Sequence, residues 1–170
     1  MKTAMKIFAL GIIALGFAAN SFAQSTATAS VGASLVTPLS ISKTADMSFA
    51  TVAASATAGT IILDYANATT ISGGAHKVSG SPTTASFTVL GEGTSVVNLT
   101  YPASVTLTSA ESNTLVVDGI LCDAAASGGT FALVGGTKTL KVKGTLQLPA
   151  NKVAGTYTNA TDLTVTINYN

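Results

Sequence analysis

Few residues in this sequence have side chains that could carry out chemistry. The chain contains one histidine, His76, and one cysteine, Cys122. A serine hydrolase needs a base beside its nucleophile, and His76 follows the glycine pair at 73–74 in a stretch of turn composition. The sequence has no strand–turn–helix nucleophile elbow and no helical segment after residue 23 to build one. We therefore interpret His76 as an exposed turn residue and predict no catalytic residue and no enzymatic activity.

Metal and cofactor sites are not indicated either. A zinc site needs more histidine or cysteine than the chain contains. Asp118 and Asp123 flank a short segment, but a calcium cage needs a denser spacing of Asp and Asn. We therefore expect no metal ion and no cofactor, with these aspartates as ordinary turn carboxylates. Cys122 follows the apolar stretch 115–121 and is interpreted as a small buried side chain, with an intermolecular disulfide as the alternative.

The composition excludes several classes of protein. Charged residues make up 9% of the chain, against about 25% in an average soluble domain, and the formal net charge is +1. A nucleic-acid-binding protein needs clusters of Lys and Arg that this chain lacks. A disulfide scaffold needs paired cysteines. We therefore expect no nucleic-acid partner and a fold that depends on its apolar core.

The first 23 residues have the pattern of a secretory signal peptide. Lys2 and Lys6 precede an apolar run over 7–19, and Ser21-Phe22-Ala23 places small residues where a signal peptidase cleaves. The alternative is a membrane anchor, but the run is short for about 30 Å of hydrocarbon. We predict that residues 1–23 are removed and that residues 24–170 are exported without a transmembrane anchor. The protein would pass through the periplasm to the cell surface or the medium.

Alternation of apolar and polar residues dominates the rest of the chain. Since successive side chains of a strand point to opposite faces, a period of two predicts strands with one apolar face. We predict strands at 27–41, 61–65, 86–90, 95–101, 104–108, 114–117, 130–134, 138–148, 155–158 and 163–169. The predicted fold is all-β, a single immunoglobulin-like antiparallel β-sandwich over 24–170, with a barrel as the alternative.

Pro38 divides the first alternating segment. A proline cannot donate a hydrogen bond to a β-ladder, so this segment lies at a sheet edge or bends at Pro38. Residues 24–37 could then pair with something other than the sheet that residues 39–42 join. The alternative is that 27–41 is simply the first strand of a self-sufficient sandwich.

Three groups of segments resemble a known family when taken in order. The first contains Pro38-Leu39-Ser40-Ile41 and Met47-Ser48-Phe49. The second contains 59–63 (GTIIL) and 87–91 (FTVLG), and the third contains 155–158 (GTYT) and 163–170 (LTVTINYN). Over nearly the whole chain after residue 23 they resemble the bacterial family of domain of unknown function 4402. More distantly, the ending with its penultimate Tyr169 is similar to chaperone–usher pilus subunits and spore coat U-like proteins. Gly155 lies two positions further from the end than the glycine of those subunits, and the disulfide that many of them carry cannot form within this chain.

The resemblance implies an immunoglobulin-like sandwich that lacks its last strand and receives it from the N-terminal extension of a neighbouring subunit. Such strand addition takes affinity from main-chain hydrogen bonds and register from alternate side-chain pockets. Residues 24–37 are the candidate donor strand, with five pocket-filling side chains: Ala27, Ala29, Val31, Ala33 and Leu35. The second candidate segment is the C-terminal strand, with four alternating side chains: Leu163, Val165, Ile167 and Tyr169.

These expectations lead to one functional prediction and one alternative. The prediction is a non-enzymatic, exported structural subunit of a fimbria-like surface filament or coat, which assembles by strand complementation. Its partners would be identical or similar subunits and a periplasmic chaperone. The alternative is a self-complete, monomeric β-sandwich that binds a glycan, a surface polymer or a protein through its loops. The two differ in oligomeric state.

Overall fold

The computed structural model describes residues 25–170. The predicted signal peptide and its cleavage site lie outside the described residues. The chain divides after Leu35 into two units. The first, described over 25–35 and called here the N-terminal extension, contains no strand, and all its residues are exposed. The second, 36–170, carries all the regular structure of the described chain.

Residues 36–170 form an all-β fold in which every strand pairing is antiparallel. No helix occurs among residues 25–170, and so none there is long and apolar enough to cross a membrane. The strands in chain order are β1 Ser40–Ala45, β2 Thr51–Ala53, β3 Gly59–Leu63, β4 Thr69–Gly73, β5 His76–Ser79, β6 Ala85–Leu90, β7 Val96–Thr100, β8 Val105–Thr108, β9 Thr114–Cys122, β10 Thr130–Ala132, β11 Thr137–Leu148 and β12 Thr166–Tyr169.

The long strand β11 organises the larger sheet, whose order is β1-β6-β11-β3-β4. Along one edge of β11, residues 137–142 pair with β6 and residues 145–148 pair with β3. The other edge pairs with β9, which in turn pairs with β8. A second sheet has the order β10-β7-β12, and β2 and β5 form a small ribbon.

Both larger sheets contribute to one apolar core, which makes the fold a β-sandwich and confirms the predicted fold class. Along β11 every second side chain is buried, as the alternating sequence predicts. Eight side chains are almost completely excluded from solvent: Ile61, Leu63, Val89, Val97, Leu99, Leu133, Leu140 and Val142. Burying a side chain of this size contributes about 1.5–3 kcal/mol, so this cluster is the main stabilising element of the domain.

A bulge at Gly119 extends β9 beyond its predicted end at Val117. Gly119 has φ +58°, and the pairing of β9 with β11 shifts register at this point. A glycine with positive φ is typical of a bulge that places two residues opposite one. The buried positions therefore change from odd, at Leu115 and Val117, to even, at Ile120 and Cys122. This break in the alternation is why the sequence pattern placed the end of the strand too early.

Several predicted boundaries are wrong. The strand predicted over 27–41 begins only at Ser40, because Pro38 cannot join a ladder. The strand predicted over 155–158 is reduced to one bridge, between Thr158 and Thr108. The short strands β2, β4 and β5 were not predicted. All residues of β5 are exposed, so no alternation marks it, and His76 is its first residue and not part of a turn.

Candidate subunit-interaction site

The N-terminal extension presents apolar side chains to solvent. Val31 is 98% exposed and Leu35 is 100% exposed. In an extended strand, Val31 and Leu35 would lie on the same face as Ala27, Ala29 and Ala33. Full burial of a Val or Leu side chain contributes about 1.5–3 kcal/mol. Val31 and Leu35 would therefore stabilise a complex in which another surface covers them.

The C-terminal strand β12 lies at the edge of its sheet. Within the described chain it pairs only with β7, with Thr166 opposite Thr100 and Tyr169 opposite Val97. Among residues 25–170 no strand pairs with its other edge, and such an edge is a template for a further strand.

All four predicted side chains of the C-terminal segment point towards the core. Val165 is buried, at 9% exposure, whereas Leu163, Ile167 and Tyr169 are half-buried and pack against the core. The strand itself is shorter than predicted and begins at Thr166, although the alternation of burial starts at Leu163. The half-buried side chains Leu163, Ile167 and Tyr169 therefore keep part of their apolar surface exposed.

The beginning of the first strand comes close to the end of the last one. Strand β1 is also an edge strand that pairs only with β6 within the described residues, and Leu39 and Ile41 are half-buried against the core. A Cβ atom placed at Gly91 would lie 2.7 Å from the Tyr169 hydroxyl and 2.9 Å from Leu39 Cδ1. The two edge segments therefore converge at Gly91, where only a glycine leaves room for both side chains.

A closed set of hydrogen bonds links Thr37, Glu92 and Tyr169. The Tyr169 hydroxyl donates to the Thr37 carbonyl oxygen at 2.6 Å, and the Glu92 N–H donates to the Tyr169 hydroxyl at 2.7 Å. Glu92 Oε2 accepts from the Thr37 N–H at 2.8 Å and from Thr37 Oγ1 at 2.7 Å. We call this set the Thr37 clasp.

The negative charge of Glu92 strengthens the hydrogen bonds of the clasp at neutral pH. The hydrogen bond from the Thr37 side chain, followed by the one from the Thr37 backbone, holds the pKa of Glu92 below its ordinary value. The carboxylate is therefore ionised at neutral pH, and hydrogen bonds to an ionised acceptor are stronger than those between neutral groups.

A shallow depression of about 450 Å³ adjoins the clasp at the end of the second sheet. Its lining residues are Val36, Ser95, Val96, Tyr169 and Asn170. The Asn170 N–H donates to the Val96 carbonyl oxygen at 3.1 Å, which continues the β7–β12 ladder to the last residue. Val36 therefore lines the same depression as Tyr169 at the end of β12.

The other residues considered from the sequence do not form a site. Asp118 accepts from Gln147 Nε2 at 3.0 Å, and Asp123 accepts from the Lys141 N–H at 2.9 Å. Over the described range no three His, Cys, Asp or Glu side chains are placed to hold a metal ion. Cys122 is 8% exposed, and burial raises the pKa of its thiol. The structure thus gives Cys122 the buried position that its apolar context predicts.

Sequence reasoning missed two residues of the clasp. It treated Gly91-Glu92-Gly93 only as a turn, and it assigned no role to Thr37 beyond its place in the donor segment. No local pattern links these positions, because Thr37 and Tyr169 are 132 residues apart in the chain. The one available signal was an acidic residue, Glu92, between two glycines in a predicted turn.

The fold and the site define an antiparallel β-sandwich with a C-terminal edge strand and an exposed N-terminal extension. Residues 39–169 match the family model described as Domain of unknown function (DUF4402), so the chain belongs to this family. The resemblance seen in the sequence is thereby confirmed, and the match covers β1 to β12 but not residues 25–38. None of the curated proteins compared with the chain matches it. The more distant similarity to pilus subunits stays a hypothesis.

Proposed function

We propose that the protein is a non-enzymatic, exported structural subunit of a fimbria-like surface filament or coat. Residues 24–37 of one subunit would add a strand to a second subunit. The observation that carries this proposal is the N-terminal extension, in which a strand-like alternation of side chains is combined with complete exposure of Val31 and Leu35. Strand addition would bury these side chains and pair the backbone in one step.

The edge of β12 is the proposed acceptor. A donor running from Ala27 to Leu35 spans about 30 Å at roughly 3.3 Å per residue, and the inward-facing segment 163–169 spans about 23 Å. The two lengths are compatible with a ladder that covers the whole of β12. The half-buried side chains Leu163 and Ile167 would contact the donor's apolar face.

The proposed partners follow from the exposed edge. An unpaired edge beside half-buried apolar side chains is a risk for uncontrolled association. A periplasmic chaperone that covers the edge until assembly would remove this risk, and the final partners would be identical or similar subunits. Export by the signal peptide would bring the subunit to the periplasm and then to the cell surface or the medium.

The alternative function is a self-complete binding module. It is supported by the core, in which eight large side chains are already almost fully buried within one chain. No buried side-chain nitrogen or oxygen in residues 25–170 lacks a hydrogen-bond partner. Such a protein would remain a monomer and bind a glycan, a surface polymer or another protein through its loops.

The mass of residues 24–170 in solution, measured by light scattering after export without other components, separates the two functions. A polydisperse ladder that resists detergent until heated supports strand exchange, and a sharp monomer supports the binding module. Deletion of residues 24–37 should abolish the ladder, and the remaining domain should bind a synthetic peptide of residues 24–37. Assembly that survives this deletion would remove the extension from the mechanism.

A further inference from the structure

We propose that strand β4 is a self-association edge, at which two copies of the chain pair antiparallel about a two-fold axis at Ile71. The contact joins the larger sheets of two subunits into one continuous sheet. It uses no residue of the segment 24–37, so it goes beyond the strand addition proposed above and does not depend on it.

Strand β4 is the last strand of the larger sheet and pairs only with β3 among the described residues. Four of its five residues are exposed. Its register with β3 has no shift, and the strand contains no charged residue and no proline. Charges, prolines and bulges are the features with which edge strands usually prevent association. The β4 edge is therefore open to another strand.

Other edge strands of the described chain are protected or short. The edge of β1 carries Lys43 and a register shift between Lys43 and Ala45. On β8, Thr108 exchanges backbone hydrogen bonds of 3.0 and 3.1 Å with Thr158. Strand β10 has only three residues. Strand β4 differs from them because it combines an ordinary strand length with an edge that has none of these features.

Two hydrogen bonds at the ends of the β3–β4 hairpin show how its backbone groups are directed. The Asp64 N–H donates to the Ala68 carbonyl oxygen at 2.9 Å, and the Gly74 N–H donates to the Ala58 carbonyl oxygen at 3.0 Å. The residue pairs 64–68 and 58–74 are therefore hydrogen-bonded pairs. Since hydrogen-bonded and non-hydrogen-bonded pairs alternate along an antiparallel ladder, the pairs between them are assigned as well.

This alternation directs the backbone of Thr70 and Ser72 towards β3 and that of Thr69 and Ile71 towards the free edge. The N–H of Gly73 also points to the free edge, and the left-handed backbone of this residue, with φ +64°, ends the strand. Over the described range, no backbone hydrogen bond from another loop or strand reaches these outward groups.

A second copy of β4 is complementary to these groups. With Ile71 opposite Ile71 of the second copy, each of these two residues donates its N–H to the carbonyl oxygen of the other. On both sides of the axis, the Gly73 N–H meets the carbonyl oxygen of Thr69. This register forms about four main-chain hydrogen bonds. The same patch serves on both subunits, which is the condition for a two-fold contact.

The side chains favour the same register. Ile71 lies opposite Ile61 and on the same face of the sheet. Ile61 is 1% exposed, whereas Ile71, on the last strand, is 37% exposed. In the two-fold pair the two Ile71 side chains are cross-strand neighbours and cover each other, and such pairs of β-branched residues stabilise a sheet.

The size of the contact indicates where it acts. A five-residue ladder buries less surface than the roughly 1,200 Å² of a stable complex, so two free subunits associate only weakly through β4. Copies that are already held close together have a high effective concentration. The β4 contact is therefore a lateral link between neighbouring subunits of a coat or between neighbouring filaments.

The experiments use residues 24–170 with Val31→Asp and Leu35→Asp, which are expected to prevent assembly through the extension. Cys122→Ala is added for cross-linking, so that the introduced cysteines are the only thiols. In this background any association is independent of the strand addition.

Cysteine cross-linking under mild oxidation tests the register. Ile71→Cys should form a covalent dimer, because the Cα atoms of a hydrogen-bonded pair are about 5.5 Å apart and a disulfide can join them. Thr70→Cys and Ser72→Cys, each alone, should react at least tenfold more slowly, because equivalent residues are then about 8 Å apart. A mixture of these two variants should cross-link rapidly, since Thr70 faces Ser72 of the second copy.

Sedimentation equilibrium measures the association without a covalent bond, at about 1 mM to match the effective concentration of closely held copies. Ile71→Lys should lower the dimer fraction at least tenfold, because it places two ammonium groups opposite each other. Val78→Lys is the matched control on β5, where Val78 is 62% exposed, and it should leave the dimer fraction unchanged. If Ile71→Lys does not fold, the cross-linking rates decide.

The outcomes separate this inference from the proposed function. Equal cross-linking rates for the three single-cysteine variants, or equal effects of Ile71→Lys and Val78→Lys, would overturn the β4 contact. Either result leaves the strand addition standing, because that function is measured with the native extension. Conversely, a native chain that stays monomeric in light scattering would overturn the strand addition, while rapid cross-linking at Ile71 would still support the β4 contact.

Discussion

The Tyr169 hydroxyl donates a 2.6 Å hydrogen bond to the carbonyl oxygen of Thr37. This bond joins the end of the C-terminal strand to the residue that precedes Pro38. In the proposed assembly the same subunit therefore ties its acceptor strand to its donor segment. A filament built in this way has a direct covalent and hydrogen-bonded path from each strand-exchange junction to the next.

The first prediction concerns the two faces of the extension. Val31→Asp and Leu35→Asp should prevent assembly, because each would place a carboxylate in an apolar pocket of the acceptor. Ser30→Asp and Ser34→Asp are matched controls on the polar face and should leave assembly nearly unchanged. The measurement is the mass distribution by light scattering. Equal effects on both faces would contradict an alternating, strand-like donor.

The second prediction separates the stability of the domain from assembly. Leu140 is fully buried, so Leu140→Ala should lower the free energy of unfolding by about 2–5 kcal/mol. Ile167 is half-buried, and Ile167→Ala should cost about 1–2 kcal/mol on the same grounds. Urea denaturation measures both values.

The effects of these two substitutions on assembly should have the opposite order to their effects on stability. Ile167 lies on the proposed acceptor face, so Ile167→Ala should raise the monomer fraction more than Leu140→Ala at temperatures where both variants are folded. An effect of Leu140→Ala that equals or exceeds that of Ile167→Ala would show that assembly follows overall stability and not the β12 edge.

The third prediction concerns pH. The pKa of Glu92 is lowered by the hydrogen bonds from Thr37. A carboxyl group with a lowered pKa in the folded state contributes stability that is fully present above its unfolded-state pKa, about 4.3 for Glu, and is lost as the pH falls through its folded-state pKa. Protection of the Thr37 amide, relative to an unstructured peptide, should therefore be constant near neutral pH and decrease below about pH 4.

The control for this prediction is Glu92→Gln, which keeps an oxygen acceptor but does not titrate. Its Thr37 protection should be lower at neutral pH and should not change in the acidic range. A parallel decrease in the variant would assign the pH dependence to a different group.

The fourth prediction concerns Cys122. Burial raises the pKa of its thiol, and its backbone N–H donates to the Tyr101 hydroxyl at 3.1 Å. The folded protein should therefore react with a thiol reagent at pH 8 at least a hundredfold more slowly than the urea-unfolded chain. A Ser30→Cys, Cys122→Ala variant places a cysteine in the exposed extension and should react at the unfolded rate in both states. Rapid reaction of native Cys122 would contradict its buried position and would favour the alternative, an intermolecular disulfide.

The sequence by itself determined the fold class and most of the core strands. Alternation in segments such as 138–148 requires one buried and one exposed face, and a helix would scatter the same residues around its surface. The same local rule placed Leu163, Val165, Ile167 and Tyr169 on one face, which the burial in the structure matches. The alternation did not predict strand ends where a proline or a glycine interrupts it. Pro38 excludes residues 27–38 from the first strand, and the Gly119 bulge shifts the alternation of β9 by one residue.

Only the tertiary structure decided which edges stay unpaired and what holds Thr37. The β12 edge is unpaired because β7 lies on its other side and, among the described residues, no further strand follows, a fact of strand order that no local pattern contains. The Thr37 clasp likewise joins residues far apart in the chain, and the space for the Tyr169 hydroxyl exists only because Gly91 faces it. Such contacts depend on how the sheets stack, and local side-chain preference does not encode that arrangement.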